Sequence, residues 1–264
     1  TNNGANYLPA ALGAAAAVAM DGFLYVIGGD TTGSGASGAS SAVYMAKINA
    51  DGSLGAWRLT SALPAALIQH GAVVAGRRIY VTGGGDINGN LASAVYSAAI
   101  VDFNGGIGAW RIETAMPWGR KAHGSFVFNN RLYVAGGAAS SPGTSKDVLY
   151  AAIAADGALG SWTNDTNLDA GGPLNGLSWA KALVFNNKAY LLAAAESGTG
   201  TPNIYAADFG IALRVHSADH IEPSVIRKYA GLFSRLRQTA GGEPSAQAAV
   251  SGNGGVVHLG PGRA

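Results

Sequence analysis

The chain has 264 residues, of which 40 are glycine and only 12% are charged, and its formal net charge is +2. This length is enough for a sizeable core, and the weak charge, dispersed except for a basic run at 227–237, argues against a nucleic-acid-binding stripe or a polybasic membrane patch over most of the chain. Cysteine is absent, which excludes disulfides, thiolate metal sites and cysteine nucleophiles. Many glycines and few charges predict short strands joined by turns rather than long charged helices.

The first apolar segment, at 8–20, reads LPAALGAAAAVAM. It is shorter than the roughly 20 residues that a membrane span needs, and the turn pair Asp21-Gly22 follows it at once. We therefore expect neither a membrane anchor nor a signal peptide here. Because the chain begins at Thr1, we expect it to be a processed product or a part of a longer polypeptide.

The sequence repeats itself with a period of fifty-odd residues. A tyrosine recurs at intervals of 55, 53 and 57 residues, and a tryptophan recurs at intervals of 53 and 52. Two independent markers therefore keep one period, which is the signature of a repeat architecture. The markers are Tyr25, Tyr80, Tyr133 and Tyr190, and Trp57, Trp110 and Trp162.

Each copy has the same internal order. A short apolar strand leads into a two-residue polar turn, and a second strand with alternating apolar residues follows and ends in a pair of glycines. A loop rich in glycine, serine and threonine then precedes a third strand, and the fourth strand begins at the tryptophan. The turns are Asp21-Gly22, Gly76-Arg77, Asn129-Asn130 and Asn186-Asn187, and the glycine pairs are 28–29, 83–84 and 136–137.

Four short strands per copy predict a four-stranded antiparallel sheet that cannot bury both of its faces alone. Stacking such sheets around an axis gives a β-propeller, and a period near fifty residues is typical of the kelch type. The pattern IYVTGG…AVYSAAI…NGGIGAW at 79–110 resembles the kelch repeat of bacterial and phage-type surface proteins. The resemblance covers about residues 8–210 and implies an all-β kelch-like propeller, with the repeated tyrosines and tryptophans in the core of its blades. The predicted blades within 1–210 are 8–62, 63–115, 116–168 and 169–210.

The remaining segment, 211–264, is divergent. Its end, at 243–262, lines up with the start of the first copy, which predicts the first half of a fifth blade; the stretch 231–241 would then end blade four, with Phe233 in place of the tryptophan. The alternative is an amphipathic docking helix at 224–238 followed by a tail. About four and a half blades leave a ring open, so we expect another chain, a missing segment or an unusual five-bladed ring to complete it.

One group of polar and aromatic residues is a candidate binding site. His70 and His123 occupy the same blade position, just before the first strand, near one mouth of the central channel. A hydrogen-bonding role within the scaffold is the first interpretation, and contact with a ligand is the second. Trp118, Arg120 and Lys121 stand beside His123, so we predict that this group contacts an anionic or glycan ligand, if the chain binds one.

One loop resembles the start of a calcium site. Asp86, Asn88 and Asn90 alternate along it, but no bidentate glutamate follows, so we expect a turn-rich loop and no metal. The sequence contains no nucleophile elbow, phosphate-binding loop or dinucleotide fingerprint, and we expect no cofactor.

The functional expectation follows from the resemblance. Kelch-like propellers are usually interaction platforms, which implies a non-enzymatic binding or structural module that contacts protein or glycan in an extracellular, cell-surface or virion-surface assembly. We expect no nucleic-acid partner and no membrane insertion, and composition alone does not separate this location from the cytoplasm. The alternative is a kelch-type sugar epimerase, mutarotase or glycan hydrolase, which would need Arg120, His123 and a carboxylate such as Asp86 to converge on the channel.

Overall fold

The structure is a computed structural model of the chain. It describes residues 7–140, 147–167, 177–186, 188–195, 203–208, 215–216, 247–250 and 257–260. Side chains are described within 7–140, 147–165, 180–186 and 188–192. The described part is all-β, as predicted, apart from a 3₁₀ turn at Gly35–Gly38. No helix in it is long and apolar enough to cross a membrane.

Most strands form four antiparallel sheets of four strands each. Sheet 1 contains β1 (Ala16–Met20), β2 (Phe23–Ile27), β3 (Val43–Lys47) and β4 (Arg58–Leu59). Sheet 2 contains β5 (Gly71–Ala75), β6 (Arg78–Thr82), β7 (Val95–Ala99) and β8 (Arg111–Ile112). Sheet 3 contains β10 (Gly124–Phe128), β11 (Arg131–Ala135), β13 (Asp147–Ile153) and β14 (Leu159–Asn167). Sheet 4 contains β15 (Leu177–Phe185), β16 (Lys188–Ala195), β17 (Asn203–Asp208) and β18 (Val215–His216).

Two smaller sheets complete the set. β9 (Arg120–Lys121) pairs with β12 (Ala138–Ala139), directly before β10 and directly after β11, and β19 (Gln247–Val250) pairs with β20 (Val257–Gly260). We call the end of each sheet at which its first strand begins and its second strand finishes the inner end.

The predicted turns produce the hairpins. Asp21 and Gly22 have φ values of 50° and 80°, and Asn129 and Asn130 have φ values of 45° and 53°. Two successive positive φ values define the type I′ turn, whose twist matches that of the flanking strands. In sheet 1 this turn aligns Met20 with Phe23 and every later pair of the hairpin.

The four sheets pack in succession through their first strands. β5 contacts both β1 and β10, and β10 contacts β15. We call the face of each sheet that meets the following sheet its forward face, the opposite face its rear face, and each contact between sheets a seam. In sheet 1 the forward face includes Tyr25 and Ile27, which cluster with Ile79 and Val81 on the rear face of sheet 2. The hydrophobic core thus lies in the seams.

Backbone hydrogen bonds also connect the sheets at their inner ends. The N–H of Gln69 donates to the Ala14 carbonyl at 2.9 Å, and the N–H of Ala122 donates to the Gln69 carbonyl at 2.7 Å. Next, the N–H of Ala180 donates to the Ala122 carbonyl at 2.9 Å. Ala14, Gln69 and Ala122 all have positive φ, so this unusual conformation belongs to the repeat and not to one sheet. Each of these three bonds runs from one sheet to the sheet before it.

The repeated tyrosines and tryptophans connect neighbouring sheets in opposite directions. The Tyr25 hydroxyl donates to the Gly105 carbonyl of sheet 2, and the Tyr80 hydroxyl donates to the Gly157 carbonyl of sheet 3, both at 2.7 Å. The indole N–H of Trp110 donates back to the carbonyl of Ser61, which follows sheet 1, at 2.9 Å. Trp162 repeats this contact with Thr114 at 2.8 Å. Trp57, Trp110 and Trp162 are half-buried.

The divergent end differs in part from expectation. The fourth strand of sheet 4 is Val215–His216, which pairs with β17, whereas the sequence predicted residues 231–241 for this place. Both that stretch and the alternative helix at 224–238 lie outside the described residues. The predicted terminal hairpin does form, and Val250 pairs with Val257 in the register that a two-residue turn at 253–254 requires. Whether this hairpin begins a fifth blade stays a prediction.

Candidate binding site at the inner ends of sheets 2 and 3

Each histidine ring lies against a glycine of the preceding sheet. A Cβ atom on Gly28 would lie 2.7 Å from Cε1 of His70, and one on Gly83 would lie 2.9 Å from Cε1 of His123. Both glycines also have positive φ, at 57° and 56°, so a side chain is excluded twice. The glycine pairs are therefore more than strand ends, because they form the surface that receives the histidines.

Both histidines are buried and neutral. Each is 3% exposed, and burial lowers the pKa of His70 to about 4, although the Ile27 carbonyl opposes this shift. Burial lowers the pKa of His123 to about 3, and the positive charge of Arg120 adds to the effect. At pH 7 the two rings are uncharged and are suited to packing and hydrogen bonding.

The two histidines differ in their partners. Nε2 of His123 lies 2.8 Å from the Thr82 hydroxyl, which itself lies 2.9 Å from the Ser125 hydroxyl. Neither ring nitrogen of His70, nor Nδ1 of His123, makes a hydrogen bond of good geometry, although the Ile27 carbonyl is close enough to His70 to favour its protonated ring. The first interpretation, hydrogen bonding within the scaffold, thus describes His123, and His70 contributes packing.

A buried ion pair organises the rest of the predicted group. Arg120 is 0% exposed, and its Nη2 donates to the Asp147 carboxylate at 2.9 Å. The indole N–H of Trp118 donates to the same carboxylate at 3.2 Å. Asp147 therefore fixes both the guanidinium and the indole ring, and it is itself buried.

Only part of the predicted group reaches the surface. Trp118 and Lys121 are half-buried, whereas Arg120, His70 and His123 are enclosed by the seams. Lys121 lies in β9, paired with Ala138. Part of the Trp118 ring, which Asp147 orients, and part of Lys121 thus remain accessible, and ligand contact by the predicted group stays a prediction.

The loop that resembled a calcium site uses its carboxylate internally. Oδ1 of Asp86 accepts hydrogen bonds from the backbone N–H groups of Asn88 and Asn90, both at 2.8 Å, and Oδ2 accepts one from the Asn90 amide at 3.0 Å. These bonds hold the pKa of Asp86 below its usual value. The side-chain N–H₂ group of Asn90, a hydrogen-bond donor, therefore points at the Asp86 carboxylate. The segment has the character of a turn-rich loop. Among the residues that the structure describes, no three His, Cys, Asp or Glu side chains are placed to hold a metal ion.

Among the buried acidic residues that sequence reasoning missed, Asp147 and Glu113 lie in or beside the seam between sheets 2 and 3. The Glu113 carboxylate accepts hydrogen bonds from the Ser97 hydroxyl and from Nε of Arg111, both at 2.5 Å, and from the Leu159 N–H at 2.9 Å. Burial alone would raise the pKa of Glu113, but these hydrogen bonds together hold it below its usual value.

A signal for both residues was present in the repeat. Arg120 and Asp147 occupy the positions of Leu67 and Ala94 in the copy before, so an apolar pair is replaced by an ion pair. In the same way, Ser97 and Glu113 replace Met45 and Thr60. Two simultaneous departures from the repeat mark two side chains that meet in the fold.

Comparison with known proteins adds no relative. No protein-family model matches the chain, and a search of curated proteins gives no match.

Proposed function

We propose that the chain is a kelch-like β-propeller module that binds a glycan or a protein in an extracellular or virion-surface assembly and catalyses no reaction. The successive packing of four-stranded sheets through their first strands, with the core in the seams, supports the propeller arrangement. The repeat makes such a scaffold rigid, and its loops supply the contacts.

The observation that carries the proposal is that Asp147 binds both Arg120, which is buried, and Trp118, which is partly exposed. The Arg120 guanidinium is buried and paired with Asp147, and the same carboxylate holds the indole of Trp118. Trp118 and Lys121 stay partly exposed: Asp147 orients the ring of Trp118, and the ammonium group of Lys121 belongs to the same short segment. Sugar rings stack on such aromatic faces, and the ammonium group favours an acidic substituent. The proposed ligand is therefore an acidic glycan.

The test is binding of the full chain to an array of neutral, sialylated and sulfated glycans, followed by calorimetry on the best ligand. Trp118→Ala and Lys121→Ala should each weaken binding by about tenfold. Tyr7→Ala is the matched control, since Tyr7 is an exposed aromatic residue outside the group. Equal binding by all variants, or preference for neutral glycans, would contradict the proposed site, and turnover of a bound glycan would contradict a non-catalytic role.

A further inference from the structure

Three residues of the third copy depart together from the repeat. The copy before has alanine, leucine and alanine at these positions, and so does the first copy. The residues are Trp118, Arg120 and Asp147 in the third copy, Ala65, Leu67 and Ala94 in the copy before, and Ala10, Leu12 and Ala42 in the first. Because two copies share one apolar triplet and the third copy exchanges every member, the three exchanges require one explanation.

In the copy before, the apolar triplet belongs to the hydrophobic core. Leu67 is 2% exposed, and Ala65 and Ala94 pack against the same hydrophobic cluster, which fills the seam between sheets 1 and 2. This seam therefore forms without any charge at the three positions. The scaffold itself requires only apolar side chains there.

In the third copy the same positions hold a buried ion pair that is incompletely hydrogen-bonded. Nη1 of Arg120 donates to the Gly136 carbonyl and to the Asp147 carboxylate, both at 3.2 Å, and Nη2 donates to the carboxylate at 2.9 Å. Nε of Arg120 is buried and makes no hydrogen bond within the described part of the chain. Two buried charges lose their hydration, and an unsatisfied N–H adds to that cost. Stability alone therefore does not explain the exchange of an apolar pair for this one.

The third member of the group explains the exchange. Trp118 is partly exposed, and its indole N–H donates to the Asp147 carboxylate at 3.2 Å. An alanine at this position has no group to orient, whereas an indole held at the edge of a seam needs a buried acceptor. A buried carboxylate in turn needs a cation, and Arg120 supplies one from inside the seam.

We propose that Arg120 and Asp147 are positioning residues for the ring of Trp118, and that the fold is at least as stable with an apolar pair in their place. The ion pair thus belongs to the surface site and not to the scaffold. That the oriented ring meets a glycan rests on the function proposed above, whereas its orientation by the pair does not.

Denaturant unfolding of the full chain tests the role of the pair in stability. Arg120→Leu with Asp147→Ala installs the residues of the copy before, and Arg120→Met with Asp147→Leu is an apolar pair of nearly the original volume. At least one double variant should unfold at the same or a higher denaturant concentration than the unmodified chain. Asp147→Ala alone is the contrast, because it leaves the guanidinium buried without a counter-ion and should unfold earlier. Earlier unfolding of both double variants, or failure of both to fold, would overturn the proposal.

The indole N–H signals in a proton–nitrogen NMR spectrum test the positioning. In a folded double variant the Trp118 signal, identified through Trp118→Phe, should shift, and its hydrogen exchange should accelerate by about tenfold. Trp110 and Trp162 are internal controls, because their indole N–H groups donate to the Ser61 and Thr114 carbonyls and should exchange at unchanged rates. An unchanged Trp118 signal would overturn the positioning. Both measurements are made without a glycan, so this proposal and the proposed function fail separately.

Discussion

The seam between sheets 1 and 2 and the seam between sheets 2 and 3 contain the same repeated contacts but differ in their other side chains. In both, a tyrosine hydroxyl meets a glycine carbonyl, a tryptophan donates backwards and a histidine covers a glycine. The first seam places Met45 and the Thr60 hydroxyl at positions where the second seam places Ser97 and the Glu113 carboxylate. Ile107 N–H donates to Thr60 at 3.1 Å, and Leu159 N–H donates to Glu113 at 2.9 Å. The contacts of the repeated tyrosine, tryptophan and histidine are therefore common to both seams, whereas the other side chains differ between the seams in matched pairs.

The largest loss of stability should come from placing a side chain on the glycines that receive the histidine rings. A valine at Gly83 would meet the Arg120 carbonyl and the His123 ring in a conformation that favours glycine, so Gly83→Val should lower the free energy of unfolding by about 4 kcal/mol or more. Gly28→Val should do the same to the first seam. Denaturant titration measures both.

The control for these glycines is Gly22, which also has positive φ but has no atom within 4 Å of a Cβ position. Gly22→Ala should cost only about 1 kcal/mol. A similar loss at all three glycines would show that backbone conformation, and not the close approach of the next sheet, governs the seams.

The next effect separates the two seams. Glu113→Ala removes a buried carboxylate and leaves Arg111, Ser97 and the Leu159 N–H without their acceptor, which should cost about 3 kcal/mol. Thr60→Ala at the equivalent position of the first seam should cost about 1 kcal/mol. Thermal and denaturant unfolding of both variants provide the comparison, and equal losses would mean that the charge network adds nothing to the second seam.

Acid should weaken both seams through their histidines. The folded pKa values of about 4 for His70 and about 3 for His123 lie below the ordinary 6.5. Below pH 6.5 the unfolded chain therefore binds protons that the folded chain does not, and stability falls with pH. Between pH 7 and pH 5 each histidine should cost about 2 kcal/mol.

Unfolding measured across this pH range should show a smaller loss in His70→Gln and in His123→Gln than in the unmodified chain. The interval stays above pH 5 because ordinary carboxylates titrate below it. An unchanged pH slope in both variants would contradict burial of the neutral rings.

The smallest effect concerns the tyrosine contacts. Tyr25→Phe and Tyr80→Phe each remove one hydrogen bond to a glycine carbonyl and should each cost about 1 kcal/mol. Burial raises the pKa of Tyr25 to about 12, so the hydroxyl keeps its proton and donates throughout the neutral range. Chemical denaturation measures the loss of stability in each variant. A loss in only one of the two variants would show that the repeated contact is not equivalent in the two seams.

The sequence predicted the local structure well because local chemistry determines it. Asn129-Asn130 defines its hairpin by conformation alone, and the nearly continuous apolar run of the second strand follows from a sheet with two buried faces. The four-stranded antiparallel sheets were predicted on this basis and are present. The weakest prediction was the fourth strand of sheet 4, because a two-residue strand such as Val215–His216 has too few residues to show a period.

The candidate site was harder to predict because its contacts span the repeat. Arg120 and His123 are charged or polar residues, and such residues are usually exposed. Only the fold shows that Asp147 pairs with Arg120 and that Gly83 makes room for the His123 ring. The glycine pair was interpreted as a strand end, since nothing near it in the sequence identifies the ring that it receives.

The directional hydrogen bonds at the inner ends of the sheets bear on how the chain arose. Among the backbone bonds between sheets, one donor and one acceptor recur at the same place in each copy, from Ala14 to Gln69 to Ala122, and they do not depend on the identity of the side chains. A gene duplication that inserts one whole copy would therefore find its two connections already in place. Copy number can change by recombination without a new interface, whereas each seam remains free to exchange an apolar pair for a polar one afterwards.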